Sequence, residues 1–137
     1  MAPLFRVLEI QLNRGWRSEE ETFPGKIKIY FFVPSQAVPD REYTVTLVIE
    51  KNVLTQAVLD TRLNASPWEG LKDELIDLFA DKIDLLYYRQ VHGEFGLAMQ
   101  HPDPERFEAF VDAAVIAADD VYAAVARAKD AITGRLG

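Results

Sequence analysis

The chain reads as an α+β protein in which an antiparallel sheet comes first and two helices follow. Apolar residues recur at every second position through most of residues 4–61, the period of half-buried strands. From residue 66 onward they recur three and four apart, the period of amphipathic helices. The strand signals are grouped and closely spaced, which favours antiparallel pairing, because each parallel pair needs a long crossover. The expected architecture is a four-stranded sheet with a helical hairpin packed on one face, all within a single domain of residues 1–137.

Four strands are expected, at about 4–12, 26–33, 43–50 and 53–61. In the first, Leu8, Ile10 and Leu12 alternate with Glu9 and Gln11. Asn13 to Gly25 reads as a polar loop holding Gly15, Pro24 and the acidic run Glu19-Glu20-Glu21. The second strand puts Ile27, Ile29, Phe31 and Val33 on one face and Lys26, Lys28, Tyr30 and Phe32 on the other. Pro34 and Pro39 frame a loop that cannot continue a ladder. Tyr43, Val45, Leu47 and Ile49 give the third strand its inner face, and Glu50-Lys51-Asn52 offers a tight turn, since Asn tolerates positive φ. Val53 to Thr61 returns as the fourth strand, although Leu54, Val58 and Thr61 would also share a helix face.

Two helices are expected, at about 67–92 and 104–133. Ser66-Pro67-Trp68-Glu69 has the form of a capping box with proline at the first helical position. Leu71, Leu75, Leu78, Phe79, Ile83 and Leu86 then line one side, opposite Asp73, Asp77, Asp81 and Asp84, with Gly93 as the stop. Asp103-Pro104 opens the second helix by the same logic, and Gly134 ends it. Its seam is Phe107, Val111, Ala114, Ala118, Val121, Val125, Ala128 and Ile132. Thirty residues of helix run about 45 Å, longer than the roughly 30–35 Å breadth of a domain of this size.

Composition narrows the chemistry. The chain lacks cysteine, so disulfides, cysteine-based zinc sites and thiol nucleophiles are excluded. The net charge of −7 arises entirely in residues 65–137, while residues 1–64 balance. That acidic half repels a phosphate backbone, so no nucleic-acid partner is expected. No apolar run approaches a membrane span, and Arg6 and Glu9 interrupt what a signal peptide would keep apolar. A cytoplasmic protein without membrane contact is the expectation.

No P-loop, dinucleotide fingerprint or G-x-S-x-G elbow occurs, and no cofactor is expected. Gly93-Glu94-Phe95-Gly96 has the GxxG form of a nucleic-acid clamp, but its variable positions are acidic and aromatic. The four aspartates on one helix side are better read as a solvated face than as a cation site. His92, Glu94, His101 and Asp103 form the densest polar cluster, and imidazoles with carboxylates at a bend are candidates for metal binding or acid–base work. Their spacing matches no ligand motif. Asp103 has a capping role to fill, and His92 suits a helix C-terminus.

Tyr30 and Phe32 make the second strand apolar on both sides, which calls either for structural cover or for a binding surface. The expected function is that of a small homo-oligomeric binding or adaptor protein without catalysis. Its long helix would pair with a second copy at a crossing near 20°, and a protein partner is a further possibility. The alternative is a small-molecule or metal-dependent enzyme with His92, Glu94 and His101 at its site.

Overall fold

The computed structural model describes residues 2–136, with side-chain surroundings for residues 4–134. The class is α+β, but the sheet has six strands rather than four. Helix α1 (Ala2–Arg14) is followed by β1 (Arg17–Phe23), β2 (Lys26–Pro34), β3 (Glu42–Glu50) and β4 (Val53–Asn64). A 3₁₀ turn (Ser66–Leu71), the short α2 (Lys72–Asp77) and a second 3₁₀ turn (Ala80–Lys82) lead to β5 (Leu86–Val91) and β6 (Glu94–Met99). A third 3₁₀ turn (Pro104–Arg106) opens α3 (Phe107–Leu136). The strand order is β1-β2-β3-β4-β6-β5, and every neighbouring pair is antiparallel.

Three expectations are corrected. Residues 4–12 form a helix, not a strand. Val7 and Ile10 face the core with Leu4 and Gln11 at its margin, a spacing of three and four. Leu12, which completed the apparent alternation, is 74% exposed. Gly15, at φ +72°, caps this helix, and its N–H donates to the Gln11 carbonyl.

Within the expected loop 13–25 lies β1, all seven residues of which are exposed. An edge strand with no buried side chain leaves no alternation to read. Its acids suit an edge that must not pair with other chains.

The expected helix 67–92 stops at Asp77, and there is no helical hairpin. Trp68 and Phe79 leave the helical region (φ −114° and −122°), and the chain turns through 3₁₀ geometry instead. The capping box does not form either. Ser66 lies inside the 3₁₀ turn, and its N–H donates to Asn64 Oδ1. Leu86 and Tyr88 then turn inward at strand spacing, while Ile83, expected on the buried side, is 60% exposed. His92 (φ 51°) and Gly93 (φ 78°) make a two-residue hairpin turn with both φ positive, rather than a helix end.

Other expectations hold. Strands β2, β3 and β4 fall where alternation places them. Lys51 and Asn52 turn between β3 and β4 with φ of 50° and 64°. Asp103 caps the last helix by accepting from the Glu105 N–H at 3.0 Å. Its expected stop at Gly134 does not hold, because the helix continues through that residue to Leu136.

All the helices lie on one side of the sheet. Ile29, Phe31, Val45, Leu47, Leu59 and Leu97 point into that layer, against Phe107, Phe110, Val111, Ala114 and Ala118 of α3. Further along, Val121 and Val125 pack with Ala65, Leu75 and Phe95. Arg14 ties α1 to α3 through Glu108 (2.9 Å) and Asp112 (2.7 Å).

Asp119 is the anchor between α3 and the β2–β3 loop. It accepts from Ser35 Oγ (2.7 Å), Tyr43 Oη (2.6 Å) and the N–H groups of Gln36 and Ala37 (3.0 and 3.1 Å). Burial disfavours its charge, but these four donors outweigh burial and hold its pKa below the ordinary value. Burial and the Asp119 bond push the Tyr43 phenol well above its usual range. Next to this anchor, the Arg41 guanidinium stacks 3.9 Å from the Tyr122 ring centre.

Candidate binding surface on the bare sheet face

Among the described residues no helix or loop lies over the face opposite the helices, and strand register defines its side chains, of which Val48, Val58, Gly96 and Ala98 in the middle are buried and the flanking ones are not. One row across the sheet runs Glu19, Tyr30, Thr46, Val58, Ala98, Tyr87. The next runs Arg17, Phe32, Thr44, Asp60, Gly96, Arg89. On the other flank lie Glu21, Lys28, Val48 and Gln56, then Phe23, Lys26 and Glu50. The sheet's curvature encloses a concavity of about 640 Å³, whose lining includes Lys28, Tyr30, Thr46, Val58, Arg62 and Arg89.

Tyr30 and Phe32 therefore point to the open side, and no helix or loop covers them. Neighbouring side chains order them in place. The Tyr30 hydroxyl donates to Glu21, and the Arg17 guanidinium lies 4.7 Å from the Phe32 ring centre while pairing with Glu42 at 2.7 Å.

Two local features build the far corner. Gly96 is required there because β5 crosses close above it. A Cβ at this position would collide with the Arg89 carbonyl oxygen and lie 2.8 Å from Val91 Cγ2. A register shift in β4 between Asp60 and Asn64 puts Arg62 at φ 63°. Its N–H donates to Asp60 Oδ1 at 2.8 Å. Beneath the bulge, Thr61 Oγ1 donates to the Phe95 carbonyl, and the Thr61 carbonyl accepts from Tyr122 Oη.

This bulge sets Asp60 beside Glu94 on the open face. The hydrogen bond and charge of Asp60 hold the Glu94 carboxyl above its usual range, with Arg62 and His92 pulling the other way. Asp60, Arg62 and Arg89 went unnoticed in the sequence. The signal that could have found this corner is the His92-Gly93 pair between two alternating runs, which the sequence reading takes as a helix end.

The sequence-selected cluster is dispersed. His92 sits in the β5–β6 turn and Glu94 begins β6, whereas His101 follows the end of that strand at φ 49°. The strand from Glu94 to Met99 alone puts about 16 Å between Glu94 and the bend that carries His101. One ion cannot span that distance. Among the described residues no three histidines or carboxylates are placed to share a metal.

Along the α3 seam, Phe107, Val111, Ala114, Ala118, Val121 and Val125 are buried against their own chain. Ala128 is half-buried and Ile132 is 51% exposed, so these two remain for a neighbour. No helix of the described residues is long and apolar enough to cross a membrane. Compared with known proteins, the chain matches no family model, and neither a curated protein nor a solved structure matches it.

Proposed function

We propose that this chain is a small cytoplasmic binding or adaptor module that works as a homo-oligomer and carries out no catalytic step of its own. One observation carries the reading: a six-stranded sheet is packed by helices on one face only. Its bare face is pre-ordered by backbone pairing on five of five strand boundaries, with Tyr30, Phe32 and Tyr87 displayed on it. A rigid, mixed polar and aromatic surface costs little entropy to engage, which favours recognition.

The exposed end of α3, with Ile132, is a second surface free for contact. Sedimentation equilibrium of the full chain tests the reading. Association over roughly 1–100 μM, about 5.5–8 kcal/mol of binding free energy, is expected. A single monomeric species up to the highest concentration would remove the homo-oligomer.

A further inference from the structure

A second concavity of about 410 Å³ adjoins the first along Gln56, Val58 and Arg89. Strand β5 adds Tyr87 to its wall, and Gln100 and His101 close it beyond the end of β6. Its volume suits a small molecule.

Charge separates the two concavities. The larger is lined by both signs, Lys28 and Arg62 with Asp60 and Glu94 among them, and so selects neither. No carboxylate lines the smaller one, although the chain carries 22 acidic residues and a net charge of −7. Its basic side chains are Arg89 and His101. A concave wall focuses their field, and acids further off are screened over about 8 Å at physiological salt.

The polar groups here are also unengaged by their own chain. Among the described residues Arg89 forms no ion pair, and the side chains of Gln56, Tyr87, Gln100 and His101 make no hydrogen bond. Local backbone features aim them. Val48 pairs with Gln56 and Ile49 with Leu54, so Thr55 is the extra residue of a bulge, a device that redirects side chains beside binding sites. His101 stands at φ 49°, a sparsely populated region for a residue with a side chain.

Dimensions set the occupant's length. Arg89 faces Gly96 across the ladder, and β6 runs three residues further to Met99, about 10 Å. Arg89 therefore marks one end of the concavity, and Gln100 with His101 the other. Val58 and Ala98 between them are 8% and 2% exposed, so the floor gives shape but little apolar area. Binding must come from the rim. A guanidinium takes carboxylate or phosphate oxygens in pairs. Side-chain amides both donate and accept, which matches hydroxyl groups.

We infer that this concavity binds a small polyhydroxylated anion about 10 Å long, with its carboxylate or phosphate on Arg89 and its hydroxyls on Gln56, Gln100 and His101. This rests on the binding-module reading above and names a ligand class for it, without needing the homo-oligomer.

Four probes separate the contributions. Glucose-6-phosphate and gluconate carry both charge and hydroxyls, glucose carries hydroxyls alone, and inorganic phosphate carries charge alone. At constant ionic strength, the side-chain amide signals of Gln56 and Gln100 in the nitrogen-15-labelled full chain should shift saturably with the better of the first two. Half-saturation is expected at about 1 mM or below, with glucose and inorganic phosphate each at least about tenfold weaker. Whichever of glucose-6-phosphate and gluconate binds more tightly identifies the charged group. Arg89→Gln, at an exposed position, should weaken that ligand at least about tenfold while melting as the parent does. Lys28→Gln, in the larger concavity, should leave binding unchanged.

No saturable shift with either anion up to about 20 mM, or equal binding by Arg89→Gln, would overturn the site. A loss in Lys28→Gln as large as in Arg89→Gln would overturn it too, by moving the ligand to the larger concavity. Sedimentation equilibrium reports the homo-oligomer separately, so the two readings fail independently.

Discussion

Removing the carboxylate of Asp119 should loosen the junction between α3 and the β2–β3 loop more than any other single surface change. Four donors converge on it: two hydroxyls and two backbone N–H groups, at 2.6–3.1 Å. Hydrogen bonds to an ionised acceptor contribute about 1.5–3 kcal/mol each when removed singly. They do not add when one group is shared, and Ser35, Gln36 and Ala37 lie where water can replace the carboxylate. Tyr43 does not, because its residue is only 1% exposed.

A realistic loss for Asp119→Ala is therefore about 2–4 kcal/mol, dominated by the stranded phenol. With an unfolding entropy of about 2.1 cal/mol/K per residue, a chain of 137 residues melts about 3.5 °C lower per kcal/mol, giving a drop of roughly 7–14 °C. Urea denaturation with thermal melting measures both quantities. Asp120→Ala, at the exposed neighbouring position, is the control and should cost less than about 0.5 kcal/mol. Equal losses in the two variants would refute the claim that Asp119 holds the loop.

Three more outcomes are expected. Because Asp119 titrates below its unfolded value, its stabilisation is present above about pH 4 and disappears as pH falls through the folded value. The stability of Asp119→Asn should therefore fall less steeply than the parent's below pH 4, and parallel acid-denaturation curves would contradict this. Gly96→Ala should cost about 2–3 kcal/mol in urea denaturation, since the added methyl meets backbone that cannot retreat. A loss below about 0.5 kcal/mol would mean that β5 can shift. Asp60→Asn should move the Glu94 carboxyl titration, followed by carbon-13 NMR, down toward the ordinary range. An unchanged midpoint would mean that Asp60 does not set it.

The legible parts of the fold were those in which one face of an element is buried. Strands β2 and β3 alternate because one side meets α3 and the other is only partly covered, with Val48 the buried exception, and Tyr30 and Phe32 were visible as departures from that rule. Helix α3 was legible from its seam, and Asp103 from its position before Pro104. Helix α1 was misread because Leu8, Ile10 and Leu12 alternate by chance, while its buried set of Val7 and Ile10 is short.

Strand β1 was invisible because it buries nothing. Residues 67–92 kept a helical spacing of leucines, and Leu71, Leu75 and Leu78 do share one cluster, but the backbone leaves helical geometry at Trp68 and Phe79, and Phe79 turns into the main core instead. The surface itself required the register. Asp60, Glu94 and Arg89 lie apart in sequence, and only the β4 bulge and the close passage over Gly96 gather them.

Because the chain contains no cysteine, a single introduced thiol gives a unique label, and couplings between labels on separate copies test the homo-oligomer reading directly. Spin labels are placed one at a time at three exposed positions: Tyr87→Cys on the bare sheet face, Ile116→Cys on the outer side of α3 and Ile132→Cys at its end. The account predicts a coupling between copies at Tyr87, at Ile132 or at both. No coupling at any of the three positions would contradict self-association.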